Sequence, residues 1–311
     1  MSQPPASIII PAYNAEKTLA VTCASVAGQN YTDWECIIVD DGSTDGTRSV
    51  ALELSANDTR FRYIHQENQG VSAARNRGIQ NSRGGLLAFL DADDLWLPHT
   101  LAALVAPFRK NLGLDFTWGT SERFSENGEI KPIMWKNYHS TGIPWYDILV
   151  HDFLPMGSFC VCRKALPPPP YFDASFTHGE DRDFLLRVLK DAATAAVGET
   201  VLLIRLRTNS ASANAGQAIE SELRSMQKYF QDPDIPPAVL RRAQSSLAFR
   251  CAVIAGFTGR DWHCALRWYL RAVFRDPFNY NNYLLVLRKL WMTIFPSAPR
   301  FMGSVYGNSN E

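Results

Sequence analysis

Three apolar runs early in the chain stop abruptly at a proline or at aspartates: residues 7–11, 35–40 and 86–90. A half-exposed strand alternates apolar with polar residues, so continuous runs of this length suit strands covered on both faces. A weaker run covers residues 61–65. Between the runs, apolar residues recur at helical spacing. They are Leu19, Cys23 and Val26; then Thr47, Val50, Ala51 and Leu54; then Leu101, Leu104, Val105 and Phe108 after Pro98, which suits a first helical turn. This alternation predicts an α/β fold with a mainly parallel sheet and helices on both faces.

The stretch 114–175 is irregular, and its Pro167-Pro168-Pro169-Pro170 can be neither regular helix nor central strand. Residues 181–190 read as a helix with Phe184, Leu185 and Val188 inward, and 200–207 as a strand. Small polar residues over 208–216 separate this part from a helical pattern broken at Pro233, Pro236-Pro237 and Pro277. The expected division is a domain of residues 1–213 and a helical region of 214–311.

Of 311 residues, 46% are hydrophobic and 20% charged, which excludes a mostly disordered chain. Lys plus Arg and Asp plus Glu number 31 each, so no net charge supports a global nucleic-acid surface. No uncharged stretch reaches the roughly 18 residues of a membrane span, and no basic segment precedes the first apolar run. The expectation is a cytoplasmic protein. Six scattered cysteines without a CxxC pair suit reduced thiols better than zinc.

In an open parallel sheet, ligands sit beyond the carboxyl ends of the strands. The residues there are Pro11-Ala12-Tyr13-Asn14, Asp40-Asp41-Gly42-Ser43-Thr44-Asp45-Gly46 and Asp91-Ala92-Asp93-Asp94. Two buried strands therefore end in acidic clusters at one edge. Gathered carboxylates repel, and a cation relieves them. Hard oxygen ligands favour Mg²⁺ or Mn²⁺, which also bind phosphate oxygens. Asp45, beside Gly46, reads as a helix cap. The absence of GxGxxG after the first run, and of a Gly-rich loop ending in Lys-Ser or Lys-Thr, sets aside dinucleotide and P-loop chemistry.

Five fragments in order resemble glycosyltransferase family 2. They are Ile8-Ile9-Ile10-Pro11-Ala12-Tyr13-Asn14; Ile38-Val39-Asp40-Asp41-Gly42-Ser43-Thr44-Asp45; Asn68-Gln69-Gly70-Val71-Ser72-Ala73-Ala74-Arg75-Asn76; Phe89-Leu90-Asp91-Ala92-Asp93-Asp94; and Phe172-Asp173 followed by Gly179-Glu180-Asp181. The resemblance covers about residues 6–212. It implies a GT-A fold, a Rossmann-like sheet, a nucleotide-sugar donor such as a UDP-sugar, Mg²⁺ or Mn²⁺, and inversion at the anomeric carbon. Position by position, it implies Pro11 and Tyr13 in the base pocket and Asp41 accepting from the uracil imide, with Asp40 in support. Gly70 joins the nucleotide-binding set, and Arg75 faces ribose or phosphates. Asp91 lies toward the ribose and the metal, Asp93 on the metal. Asp181 is the implied general base, with Glu180 beside it.

An inverting transfer needs a base for the acceptor hydroxyl proton and an electrophile for the departing diphosphate, and these residue types suit both. Acids after Gly179 also suit the helix dipole. One position departs from the pattern. In Arg205-Leu206-Arg207-Thr208-Asn209-Ser210-Ala211-Ser212, Arg207 stands where histidine is common. A guanidinium binds diphosphate but cannot coordinate a metal.

Trp135, Tyr138, Trp145 and Tyr146 suit either a sugar platform or core packing. Farther on, Trp262, Leu266, Tyr269, Leu270 and Val273 share a helical face among Arg260, Arg267, Arg271, Arg275, Arg288 and Lys289. Such helices can lie on an anionic membrane, or dock on the catalytic domain. The expected function is hexosyl or N-acetylhexosaminyl transfer to a saccharide or lipid-linked saccharide, in polysaccharide or lipid-linked oligosaccharide synthesis, with peripheral contact at the inner membrane face. The rivals are a sugar-nucleotidyltransferase and a non-catalytic nucleotide-sugar-binding protein. Pro11-Ala12-Tyr13-Asn14 is not the Gly-rich basic loop of the former, and Asp93 with Asp181 argues against the latter.

Overall fold

The computed structural model describes residues 6–125, 130–132, 144–151, 154–176, 178–206 and 215–277. The chain divides into two compact units, Met1–Ala213 with Glu220–Tyr229, and Asn214–Ile219 with Phe230–Glu311.

The first unit is built on one sheet. Its parallel half runs β3 (Phe61–Gln66), β2 (Trp34–Asp41), β1 (Ala6–Ala12), β4 (Leu86–Phe89) across the sheet. Ile8 pairs with Cys36 and Ile10 with Ile38, and every residue of β2 is buried. Burial on both faces is why these runs are continuous. Parallel neighbours need crossovers, here α1 (Leu19–Ala27), α2 (Thr47–Asn57) and α3 (Val71–Asn81). The order reverses at β1, with β2 and β3 on one side and β4 on the other, and such a reversal opens a crevice at the carboxyl ends.

The other half is mixed. β8 (Phe159–Cys162) lies antiparallel to β4, and β6 (Phe116–Phe124) antiparallel to β8. β9 (Thr194–Arg205) runs parallel to β6, β5 (Leu95–Trp96) antiparallel to β9, and β7 (Ile130–Pro132) pairs with β6. The stretch read as irregular thus holds β6, β8 and the helix α5 (Pro144–His151). β8 has only four residues, and β6 mixes buried and exposed positions without a period. The strand expected over 200–207 is the second half of β9. Pro167-Pro168-Pro169-Pro170 stays outside helix and strand. α4 (Thr100–Lys110) follows Pro98 as expected.

Beneath the crevice, Phe89 meets Phe159, Phe172 and Phe184 at 5.9, 5.4 and 5.7 Å, and Phe172 stacks on Phe184 at 4.2 Å. Aromatic pairs add about 0.5–1.5 kcal/mol each beyond area burial. This cluster ties the end of β4 to α6 (Glu180–Leu189), so the two acid-bearing elements are held to each other. α7 (Ala215–Gln227) lends its residues from Glu220 onward to this unit.

The second unit contains α8 (Pro237–Val253) and α9 (Trp262–Arg275). α8 starts at Pro237, where the missing N–H costs nothing, and α9 stops before Pro277. Ala248, Phe249 and Ala272 form their buried contact, and Ser245 Oγ donates to Ala272 O at 2.9 Å. Asp261 caps α9 by accepting from Cys264 N at 2.9 Å. No helix among the described residues is long and apolar enough to cross a membrane. Residues 207–214, Arg288 and Lys289 lie outside the described residues.

Candidate active site

β2 ends on two aspartates that face opposite ways, as successive strand residues do. Asp40 is 1% exposed. It accepts from Ser43 N at 2.9 Å and Tyr63 Oη at 2.8 Å, and His65 Nδ1 lies 3.5 Å away. Burial pushes its carboxyl up, but hydrogen bonds from Ser43, Tyr63 and His65 outweigh it and hold it below its ordinary value. Burial, and then the bond to Asp40, push the Tyr63 phenol up to about 12.

Asp41 is also buried. It accepts from Gln66 Nε2 at 2.7 Å and from the backbone N–H groups of Gln69 and Gly70 at 2.9 and 2.8 Å. These take three of about four acceptor sites on a carboxylate. They fix the turn before α3, where Gly70 holds φ +88°, a conformation that strains any residue with a side chain. Tyr13, just past β1, is 53% exposed, and Pro11 is half-buried in the strand. Asn14 joins the two loops: its N–H donates to Ser43 Oγ at 3.0 Å and its Oδ1 accepts from Thr44 N at 2.9 Å. Asp45, read from the sequence as the cap of α2, stands one position ahead of it: the cap is Gly46, and Asp45 accepts from Thr47 N at 3.0 Å.

Across the crevice, Arg75 on α3 is 4% exposed. Its Nη2 donates to Asp91 Oδ1 at 3.0 Å and its Nη1 to Glu180 Oε1 at 3.3 Å, with the Phe172 ring 5.4 Å from the guanidinium. Expected to face ribose or phosphates, it lies enclosed between acids from two distant segments. Burial disfavours its charge, but Asp91, Glu180 and Asp181 outweigh that and raise its pKa. The next residue, Asn76, pairs its side-chain amide with the backbone of Phe172, at 2.7 and 2.8 Å. One turn of α3 thereby holds both the acidic turn after β4 and the segment leading into α6.

Asp91 keeps 38% of its side chain exposed, and Asp93 is half-buried. Arg205 on β9 donates its N–H to Asp94 Oδ1 and its Nε to the Asp93 carbonyl, both at 2.9 Å. Arg205 is therefore the strand-end arginine set against this turn, and Arg207 lies outside the described residues. Among the described residues, no three His, Cys, Asp or Glu side chains gather into a metal cage. The pair Asp91 and Asp93 still fits Mg²⁺ or Mn²⁺, because Mg²⁺ typically takes one or two carboxylates and completes its shell with phosphates and water.

α6 starts after Gly179, which holds φ +79°. Glu180, Asp181 and Asp183 in its first turn complement the helix dipole. Asp181 Oδ1 accepts from Arg182 N at 2.7 Å. Further contacts come from Arg187 of α6 itself, and from α7 and the residues just after it. Arg182, 1% exposed, pairs with Glu222 at 2.6 Å, and Ser221 Oγ donates to His178 O at 2.8 Å. Asp183 receives Arg187 at 2.9 Å, Tyr229 Oη at 3.0 Å and Lys228. Sequence reasoning missed this support: residues 220–229 lie past the resemblance and look like any amphipathic helix. Trp145 belongs to the core, 6% exposed with its Nε1 donating to Leu186 O at 2.9 Å, while Trp135 and Tyr138 lie outside the described residues.

The chain matches the family described as Glycosyl transferase family 2 over residues 7–166. It is 30% identical over 230 residues to the UDP-Glc:alpha-D-GlcNAc-diphosphoundecaprenol beta-1,3-glucosyltransferase WfgD of Escherichia coli, covering 73% of this chain and 87% of that one. Three other curated relatives, among them the chondroitin synthase of Escherichia coli, are matched over less than half their own length. TarS 1–349 of S. aureus, in complex with UDP-GlcNAc, shares the fold with a TM-score of 0.67 at 20% identity, over 86% of this chain and 81% of that one. The mannosyltransferase PcManGT of Pyrobaculum calidifontis, in complex with GDP-Man and Mn²⁺, does so at 0.65 and 17%, over 95% and 82%. The sheet flanked by helices is thus the GT-A fold. With a family match over more than half its length and a relative aligned across most of both chains, this protein belongs to glycosyltransferase family 2.

Proposed function

We propose that this chain is an inverting glycosyltransferase that moves a hexosyl or N-acetylhexosaminyl group from a UDP-sugar to a hydroxyl of a saccharide or lipid-linked saccharide. The observation that carries this reading is the Arg75 bridge, which joins Asp91 at the end of β4 to Glu180 at the start of α6. In this reading the catalytic domain is residues 1–213, supported by 220–229, and residues 214–311 form a helical region. The substrates named for WfgD, and the UDP-GlcNAc held by TarS, support a UDP donor and a lipid-linked acceptor.

Pro11 and Tyr13 form one wall for the base, and Asp41, supported by Asp40, keeps an acceptor site for the uracil imide. The Gly70 turn borders the nucleotide. Asp93 and Asp91 would hold Mg²⁺ or Mn²⁺, which when bound stabilises the charge of the departing diphosphate. Arg207 supplies further positive charge to the diphosphate. Asp181 takes the proton of the attacking hydroxyl, at a helix start held by Arg182 and Glu222. Attack opposite the leaving group inverts the anomeric carbon. Arg75 is a positioning residue here, acting through Asp91 and Glu180. All six cysteines are free, which supports a reducing, cytoplasmic location, with peripheral membrane contact at the inner face.

A thermal-shift series with UDP, UDP-Glc, UDP-GlcNAc and GDP-Man, with and without Mn²⁺, tests the donor. A ligand at 100-fold its Kd stabilises by about 2.7 kcal/mol. The UDP species should raise Tm, and more with Mn²⁺. If none of them raises Tm, the donor assignment fails.

A further inference from the structure

α9 divides into three sides. Ala265 and Ala272 are buried, with Ala272 and Trp268 packed on α8. Trp262, Leu266, Leu270 and Phe274, spaced four residues apart, form a second side and are 44, 55, 44 and 84% exposed. At about 1.5 Å per residue this apolar row is about 18 Å long. Arg267, Arg271 and Arg275 each follow a member of that row, so they form a parallel basic row about 100° around the helix. His263 continues it toward the N-terminus, also exposed.

The charge on this side is one-sided. No acid occurs from Trp262 to Arg275. The flanking acids are engaged: Asp261 caps the helix, and Asp276 faces Arg242 at 4.0 Å. On the basic side, Arg271 lies over Trp268 at 4.6 Å and Arg275 donates to Gln244 Oε1. A helix buried only in its own bundle has no use for large apolar groups on a second, outward side. An exposed apolar row with an adjoining basic row is the pattern of a helix lying in the plane of an anionic interface.

We propose that this side of α9 docks the protein on an anionic lipid bilayer. The row Leu266, Leu270 and Phe274 enters the acyl boundary, and Arg267, Arg271 and Arg275 lie at headgroup level. The proposal rests on the lipid-linked acceptor assignment for its purpose, since a soluble enzyme reaching a lipid-anchored sugar must stay near the headgroup plane. Its physical content is independent of that assignment.

The test is co-sedimentation of the full chain with vesicles of phosphatidylcholine alone, or mixed equally with phosphatidylglycerol, with no donor or acceptor present. Wild type should bind the mixed vesicles at low salt and release at about 1 M, where the Debye length falls to about 3 Å. A basic residue near such a surface is worth about 1 kcal/mol, so R267Q/R271Q/R275Q should lower partitioning by about 10²-fold. L266Q/F274Q should lower it by about tenfold or more, since burying one large apolar side chain is worth about 1.5–3 kcal/mol. Both variants should keep the wild-type Tm and UDP-induced shift, which separates this test from that of the catalytic reading. Failure of wild type to sediment at low salt overturns the proposal, as does equal binding by the arginine variant. If wild type is instead a dimer that L266Q/F274Q makes monomeric, with no vesicle binding, the face belongs to a second copy and the proposal falls.

Discussion

Glu222→Gln probes the support of α6, the helix that carries the proposed base Asp181. The Arg182 guanidinium is 1% exposed, 2.6 Å from Glu222, and directly follows Asp181 in sequence. Breaking a buried ion pair from one side costs about 3–5 kcal/mol, because the other charge is left without its counterion. Gln retains an acceptor oxygen, so the lower figure of about 3 kcal/mol applies. At about 2–4 °C per kcal/mol for a domain of this size, Tm should fall by roughly 6–12 °C. The first turn of α6 would also lose a fixed point, and a displacement of order 1 Å at a reacting group costs about 10² in rate. Donor KM should barely change, because Asp41 is held by the turn before α3 and Asp91 by Arg75. The assay is calorimetry together with UDP release at saturating donor, measured well below the lowered Tm. R182M/E222L removes both charges, and an apolar replacement of a buried pair is often neutral, so Tm should recover most of its loss. A Glu222→Gln protein with wild-type Tm refutes the energetic argument. Lowered Tm with unchanged kcat refutes the positioning argument and leaves the pair a purely structural one.

Three further outcomes are expected. Asp93→Asn should abolish transfer and remove the Mn²⁺-dependent part of UDP binding measured by titration calorimetry; near-wild-type turnover would sink the metal assignment. Asp181→Asn should lower kcat by about 10² or more while leaving UDP affinity nearly unchanged, whereas a lost UDP affinity with chemistry intact would move Asp181 to donor binding. Tyr63→Phe removes a hydrogen bond to a buried carboxylate and should cost about 1.5–3 kcal/mol at pH 7. The folded Asp40 carboxyl ionises below its ordinary value of 3.8, so this contribution is complete above that value and is lost as pH falls through the folded one. Urea melts should therefore show the gap to wild type closing in acid, and a gap constant with pH contradicts the assignment.

The parallel half of the sheet was legible because burial on both faces leaves a local mark: Ile8 to Ile10 and Ile37 to Val39 are apolar without a break. The acids at its edge were legible for the converse reason, since Asp40, Asp41 and Asp91 interrupt such runs. Their partners were not. Asp41 is held by the backbone N–H groups of Gln69 and Gly70, which almost any residue could supply. Arg75 and Glu180 lie 105 positions apart, and no periodicity connects them. Arg182 and Glu222 read separately as ordinary helix-surface charges, and only packing makes them a buried pair. β8, with Phe159 and Cys160 on a strand of four residues, is too short to show a pattern. Trp145 could not be assigned, because an aromatic that stacks on sugar and one that fills a core look alike until its Nε1 is seen to meet the Leu186 carbonyl.

The way the first unit skips residues 214–219 and takes in 220–229 bears on the order in which the chain can mature during synthesis. The ribosome releases β1, β2, β3 and β4 early, and these can pair with neighbours already made. α6 emerges with Arg182 and Asp183 bound for burial, while Glu222, Lys228 and Tyr229 are still to come. Until they arrive, the Arg182 guanidinium lacks the Glu222 carboxylate, and the first turn of α6 lacks that fastening. A nascent chain halted near residue 213 would hold most of its sheet yet lack the partners that hold Arg182 and Asp183 in the first turn of α6. Competence for transfer would then be gained last, after the helical region has begun to appear.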